Sequence, residues 1–248
     1  MLNYLLRRFL LMPVTLFFII LVNFVIINLA PGDPVNVTEV TQQGAVKRED
    51  SSIAFNSDDR YLQFREFYGL TLPILFNTWP FTSLEFVEKT LWQLVHRKDA
   101  PTSVEEMNFK DYEAMRISFG DRARFIMPHL LFIAENPKED MTTRRMAVRF
   151  FIRGGIRQGF TGPNINESER DFNRKIAKEN LLLGTLFLSP SDSQEKIDRK
   201  LSQLKEWYKA NEAFYAFNPT FKQKMGMFFF ETRFYRYFSR LLQLDFGT

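Results

Sequence analysis

The chain has 248 residues, a formal net charge of +4 and no cysteine. The missing cysteines exclude disulfides, thiolate metal sites and cysteine nucleophiles, and so small a net charge does not indicate a nucleic-acid partner. The 28 phenylalanines predict a dense aromatic core, or an additional buried or lipid-facing surface, because phenylalanine is a large apolar side chain.

An uncharged apolar segment near the N-terminus is the longest in the chain. Residues 9–30 carry no ionisable side chain, and Arg7 and Arg8 come directly before them. A helix of about 22 residues rises about 33 Å, which is enough to cross the core of a bilayer. Arginines that flank a span are retained in the cytoplasm. We therefore expect residues 1–34 to form a cytoplasmic start and one transmembrane helix, with the bulk of the chain outside.

A cleaved signal peptide is the alternative for this segment. Against it, the apolar stretch is longer than the usual core of a signal peptide, and no small-x-small cleavage site follows it. Within the span, Asn23 places a polar amide in hydrocarbon. This position indicates either a hydrogen bond to a neighbouring transmembrane helix or a polar residue that is merely tolerated.

Residues 35–76 predict an extracytoplasmic linker followed by a short helix. The part from 36 to 59 is rich in Ser, Thr, Gln and charged residues, as exposed linkers are. Residues 60–69 have helical spacing and end at a glycine, and 70–76 continue as an extended apolar segment.

Three stretches of the chain resemble, in order, three stretches of one known protein family. They are LLRRFLLMP at 5–13 with NLAPGDPV at 28–35, then YGLTLPI at 68–74, then YFSRLLQLDFGT at 237–248. In this order they resemble the permease subunits of oligopeptide/dipeptide ABC importers, where the third stretch leads into the second span. The resemblance marks as family motif residues Ala30, Pro31, Gly32, Asp33, Pro34, Asp245, Phe246 and Gly247.

The chain departs from the family pattern in two ways. The second and third stretches are close together in the family, whereas residues 77–236 separate them here, so we expect a domain inserted in the first extracytoplasmic loop. The chain also stops after 237–248, where the second span is expected, and so resembles an N-terminal piece or a truncated or split product. The resemblance implies the bacterial inner membrane as the location. The implied partners are a second permease subunit, cytoplasmic ATPase subunits and a substrate-binding protein.

Capping signals and apolar spacing predict a helical inserted domain. The sequence TSLE at 82–85 opens a helix that reaches His96, and SVEE at 103–106 repeats the signal. Further helices are predicted at 121–134, at 141–153 before Gly154 and Gly155, at 167–188 behind Asn166, after Ser189 and Pro190, and from Asn218 and Pro219 toward Leu244.

The predicted fold class is all-α. One predicted helix has a clear apolar face, because its apolar residues follow helical spacing. They are Ile197, Leu201, Leu204 and Tyr208. The pair 122–134 and 142–153 resembles a HEAT-like hairpin, and stacked hairpins usually present a surface to another protein. We therefore hypothesise that the inserted domain contacts a partner outside the membrane, such as the substrate-binding protein.

The sequence contains no recognisable catalytic or metal-binding constellation. His96 and His129 lack neighbours with metal-ligand spacing, and no phosphate-binding loop of the Walker type occurs. The triplet DFG at 245–247 lacks the glycine-rich loop and the catalytic loop of a kinase. We expect a non-catalytic chain without a cofactor.

Two arginine-bearing stretches are candidates for contact with anionic surfaces. Arg145, Arg149 and Arg153 recur every four residues, which predicts either a basic stripe for lipid headgroups or an acidic partner, or an ordinary solvated face. Residues 228–242 combine many aromatic residues with arginines. They predict either a helix at the membrane surface or a core helix of the inserted domain.

The leading hypothesis is the N-terminal part of a permease component of a peptide importer that contacts membrane lipid and not nucleic acid. The alternative is a single-pass anchored helical adaptor, or a degenerate permease remnant without transport activity. One helix cannot enclose a transport pathway, so we expect no transport by this chain without partners.

Overall fold

The computed structural model describes residues 2–29, 70–160, 165–215 and 219–243. Within these ranges all regular structure is helical, which confirms the predicted all-α class. The helices are α1 (Leu2–Leu29), α2 (Leu84–His96), α3 (Phe109–Asp121), α4 (Met127–Glu135), α5 (Met141–Gly155), α6 (Glu167–Thr185), α7 (Gln194–Ala210), α8 (Phe221–Phe230) and α9 (Arg233–Leu242). Short 3-10 helices occupy Trp79–Phe81 and Ala123–Phe125.

The chain divides into two compact units. The discontinuous unit consists of Met1–Asn77 and Phe229–Thr248, and the central unit is Thr78–Phe228. The inserted domain was expected to run over 77–236, so the division falls earlier than expected at its C-terminal end. The expected linker and short helix within 35–69, and the motif residues Ala30–Pro34 and Asp245–Gly247, lie outside the described residues.

The central unit is built around a helical hairpin. Helix α4 packs against α5, and α2 and α7 contact this pair. The hairpin contributes Leu130, Ile133, Val148 and Phe151 to the core, each 1% exposed or less. The predicted apolar face of α7 is confirmed, because Ile197, Leu201, Leu204 and Tyr208 are all buried in this core.

Polar caps fix where the helices of this unit begin. Ser83 caps α2 by accepting a hydrogen bond from the amide of Phe86 (3.3 Å), one residue from the predicted start. The predicted start of α6 behind Asn166 is confirmed, since Asn166 and Glu169 form a reciprocal capping box, but the helix ends at Thr185 and not at residue 188.

Two predicted helix starts are wrong. A helix does not begin at 103–106, because Asn108 accepts the amide of Asp111 (2.9 Å) and α3 begins at Phe109. Likewise, Ser189 does not start α7. Its amide donates to the carboxylate of Asp192 (2.8 Å), so this part of the chain forms a turn before Gln194.

Two predicted single helices are divided. The expected helix at 121–134 is a 3-10 turn followed by α4, because Ile126 departs from helical geometry and Pro128, in the first turn of α4, has no amide hydrogen to continue a helix from the preceding turn. The expected helix running toward Leu244 is divided into α8 and α9. Thr232, which is 1% exposed, caps α9 by accepting the amide of Tyr235 (3.1 Å).

Two glycines of the central unit test its packing. Substitution by alanine is expected to lower the free energy of unfolding at one of them and to raise it at the other. A Cβ atom on Gly154 would lie 2.8 Å from backbone atoms of both Ala123 and Arg124, whereas a Cβ on Gly184 would have no atom within 4 Å. We expect Gly154→Ala to reduce the free energy of unfolding by about 1–3 kcal/mol, because backbone cannot move aside cheaply. Gly184→Ala should raise it by up to about 0.5 kcal/mol.

Tryptophan fluorescence can measure both substitutions, because Trp79, Trp92 and Trp207 all lie in the central unit. Equal effects of the two substitutions would contradict the close approach of α5 to the turn at 123–125.

Candidate membrane helix and its contacts

Helix α1 contains a segment long and apolar enough to cross a membrane. The segment Arg7–Asn28 has 22 residues, is strongly apolar, and has only 6% of its most apolar part buried within the chain. Length and composition of this kind are shared by transmembrane helices and by N-terminal signal sequences. The side chains of Arg7 and Arg8 are exposed at one end of the segment.

One face of α1 is covered by aromatic rings of α9. Phe17 and Phe24, two helical turns apart, form the α1 side of this contact. The ring of Phe24 lies 5.3 Å from that of Phe234 and 5.1 Å from that of Tyr237. The ring of Phe17 lies 5.7 Å from that of Phe234 and 5.4 Å from that of Phe238. Each aromatic pair of this kind stabilises the contact by about 0.5–1.5 kcal/mol beyond the contribution from burying the rings.

Neither expectation for the aromatic stretch included a contact with α1. The rings of this stretch were expected to face either lipid headgroups or the core of the inserted domain, whereas Phe234, Tyr237 and Phe238 contact α1. Their helical spacing predicts an apolar face but does not identify the helix that covers it. Arg236 and Arg240 are exposed, as Asn23 is on α1.

Arg233 joins α9 to residues 70–74, the segment before the central unit, through hydrogen bonds. Its Nε donates to the carbonyl of Leu72 (2.6 Å) and its guanidinium also donates to the carbonyl of Leu70. The amide of Arg233 donates to Pro73 (2.9 Å), and that of Phe234 to Ile74 (3.0 Å). Hydrogen bonds from a charged donor are roughly twice as strong as neutral ones. No pattern in the sequence indicates this contact.

The same junction contains a second tie. Asn77, which is fully buried, donates from its side-chain amide to the carbonyl of Glu231 (3.1 Å). The chain therefore leaves the discontinuous unit at Asn77 and returns to it close by.

The structure does not bring the predicted arginine stripe together on one exposed surface. Arg149 is exposed, but Arg145 is half-buried. Arg153 lies 3.5 Å from the carboxylate of Asp121, and its guanidinium occupies the space next to Gly120. The acidic partner on α3 thus holds one member of the predicted stripe.

The two histidines are held in the central unit by local contacts. His96 stacks on Trp92 with ring centroids 4.4 Å apart. The Nε2 atom of His129 lies 3.1 Å from the carbonyl of Thr82 and donates to it as Nε2–H. Among the described residues, no group of three or more His, Asp or Glu side chains is placed to hold a metal ion.

His129 predicts a pH dependence for the stability of the central unit. Burial lowers its pKa below the ordinary value of 6.5, with a further decrease from Lys224, while the bond to Thr82 and the charge of Glu88 oppose the shift. The unfolded chain therefore takes up the proton first as the pH falls. Stability should be highest above 6.5 and decrease as the pH falls toward the lower pKa of the folded state.

Thermal unfolding followed by tryptophan fluorescence between about pH 7.5 and about pH 5 measures this effect. His129→Gln should flatten the dependence on pH, and His96→Gln is the matched substitution of the other histidine. If the two variants show the same slope, His129 is not the group responsible.

The chain matches no protein-family model, no curated protein and no solved structure. Its resemblance to peptide-importer permeases thus rests on the quoted stretches of sequence alone.

Proposed function

We propose that this chain is a non-catalytic membrane component of a peptide-type ABC importer. In this proposal the discontinuous unit is the permease-like part, and the central unit is an extracytoplasmic insertion. The chain lies in the bacterial inner membrane with its N-terminus in the cytoplasm, since Arg7 and Arg8 flank the candidate span.

One observation carries the proposal. The second and third stretches that resemble the permease family are far apart in this sequence, yet residues 70–74 are hydrogen-bonded to Arg233 and Phe234, which lie just before the third stretch begins at Tyr237. An insertion that leaves its host intact has to begin and end at neighbouring points. The bond from Asn77 to Glu231 meets that requirement.

The proposed activity requires other subunits. A single span cannot enclose a pathway, so a second permease subunit, cytoplasmic ATPase subunits and a substrate-binding protein complete the importer. Asn23 offers a contact for such a partner, because its side chain is exposed on α1 while Phe24 faces α9. An exposed amide within hydrocarbon is stabilised by a hydrogen bond from another helix.

Purification of the tagged chain from native membranes in mild detergent, with its companions identified by mass spectrometry, tests the proposal. We expect a multi-span permease together with cytoplasmic ATPases. Recovery of the chain alone, or with unrelated envelope proteins, would contradict it.

Asn23→Leu should weaken the recovery of the second permease. One interhelical hydrogen bond in a membrane contributes about 1 kcal/mol, which corresponds to about a fivefold change in an association constant. Asn28→Leu is the matched control, because the side chain of Asn28 already donates to the carbonyl of Phe24 in its own helix (2.9 Å). Equal recovery of the second permease with both variants would show that Asn23 does not contribute to the interface.

A membrane-anchored helical adaptor is the second candidate. It is favoured by the central unit, which has a hydrophobic core of its own, and by the finding of one possible span among the described residues. The same purification distinguishes the two proposed functions, because soluble envelope proteins, and no ATPases, would co-purify with an adaptor.

A further inference from the structure

The central unit carries aromatic rings and cations where the chain enters and leaves it. Trp79 and Phe81 follow its first residue, and α8 is its last helix. The ring of Phe81 lies 6.4 Å from that of Phe221 and 6.3 Å from that of Phe228, so the two ends of the unit meet here.

Cations lie over these rings. The Nζ atom of Lys224 is 5.7 Å from the ring centroid of Phe81. The guanidinium carbon of Arg122 is 5.0 Å from the ring centroid of Phe86 and 5.7 Å from that of Trp79. We call this set, Trp79, Phe81, Phe86, Arg122, Phe221 and Lys224, the aromatic–cationic surface.

The rings of this surface are only partly covered by the chain. Phe221 is 73% exposed, and Phe81 and Phe86 are each 41% exposed. Exposed apolar rings that alternate with Lys and Arg are typical of segments at a lipid–water interface, where the rings enter the acyl boundary and the cations meet phosphate groups. Lys222, which is exposed on the same helix, adds a further cation.

Few residues of the sequence separate this surface from α9. Phe228 of α8 precedes by six residues Phe234 of α9, whose ring contacts Phe24 on α1.

We propose that the aromatic–cationic surface docks on the anionic phospholipid headgroups of the membrane that α1 crosses. The inference rests on the proposed membrane location of α1. Lys224 and Lys222 contact lipid phosphates, and Phe221 and Phe81 enter the boundary between headgroups and acyl chains. A protein partner would also bury these rings. The cations, and the few residues between this surface and α9 in the sequence, favour the lipid surface.

Single-cysteine labelling of the full chain tests the proposal, because the native sequence has no cysteine. A fluorophore is attached at Phe221→Cys on the surface, at Leu181→Cys on α6, or at Phe18→Cys on α1. Leu181 is the matched control, since it too is 73% exposed. The chain is reconstituted in phosphatidylcholine vesicles with and without phosphatidylglycerol. Quenching by aqueous iodide is compared with quenching by lipids brominated near the headgroup for positions 221 and 181, and by lipids brominated deep in the acyl chains for position 18.

We expect lipid quenching at position 221 to exceed that at 181 several-fold and to increase with phosphatidylglycerol. If position 18 is not quenched by lipid, α1 is not in the bilayer and the proposed membrane function fails. If 18 is quenched but 221 behaves like 181, only the docking inference is overturned. Protection of 221 from both quenchers would also overturn it, in favour of a protein contact.

The cations are tested with the label kept at position 221. A lysine near an anionic membrane contributes about 1 kcal/mol, so Lys224→Gln should lower the ratio of docked to undocked chain about fivefold. The decrease should appear in vesicles that contain phosphatidylglycerol and vanish in phosphatidylcholine alone. Lys178→Gln, an exposed lysine of α6, should cause no change. Equal quenching with both variants would overturn the role of the cations.

Discussion

Replacing Arg233 with Ala should weaken the attachment of α9 to the segment at 70–74, where the main-chain hydrogen bonds to Pro73 and Ile74 remain. The substitution removes the hydrogen bonds to the carbonyls of Leu70 and Leu72 and leaves the carbonyl group of Leu72, a residue only 4% exposed, without this charged donor. Charged hydrogen bonds contribute more than neutral ones, and an unpaired buried carbonyl is costly. We therefore expect the free energy of unfolding of the discontinuous unit to decrease by about 2–4 kcal/mol.

A cysteine pair at Phe24→Cys and Tyr237→Cys can measure this loss, because the native rings are 5.1 Å apart and no other cysteine is present. The yield of a short thiol crosslinker is recorded against temperature. Arg233→Ala should shift the decrease in yield to lower temperature, while the tryptophan signal of the central unit stays unchanged.

Arg240→Ala is the matched control for charge, since Arg240 is exposed on the same helix. Arg233→Lys should restore only part of the yield, because an ammonium group lacks the planar fork with which arginine reaches two acceptors. Identical curves for Arg233→Ala and Arg240→Ala would show that the junction does not depend on these bonds.

The sequence predicted best those features that depend on residues close together in the chain, such as a helix cap or the apolar face of one helix. Asn166 caps the start of α6 through a local hydrogen bond, and Ile197 and Leu204 share one buried face of α7, so both features were predicted correctly. The misplaced start at 103–106 has a local cause too. Two capping signals stand close together, and Asn108 makes the hydrogen bond that decides between them.

Contacts between distant segments could not be predicted in this way. Nothing near Arg233 in the sequence indicates that its acceptors are at Leu70 and Leu72. Similarly, the spacing of Arg145, Arg149 and Arg153 predicts a stripe, but the position of Asp121 on another helix decides where Arg153 turns. Helical periodicity specifies a face, whereas the partner of that face depends on the path of the whole chain.

Excision of residues 78–228 should leave the contact between α1 and α9 in place. The side-chain amide of Asn77 lies 3.1 Å from the carbonyl oxygen of Glu231, so a short Gly-Ser linker can join Asn77 to Phe229 without separating the segments that hold α9. The entropy of closing a short loop changes slowly with its length. The Phe24→Cys and Tyr237→Cys pair should therefore crosslink in the excised chain as well as in the full one.

A deletion with a different boundary provides the control. Removing 98–228 leaves α2 in the chain without the helices that bury its core residues, among them Val87 and Leu91, both fully buried in the intact chain. This shorter deletion should aggregate, because exposed core side chains favour association, although it retains more of the native sequence. Loss of the crosslink after excision of 78–228 would mean that the central unit is required to hold α9 on α1. The unit would then be a structural part of the membrane component and not an insertion in it.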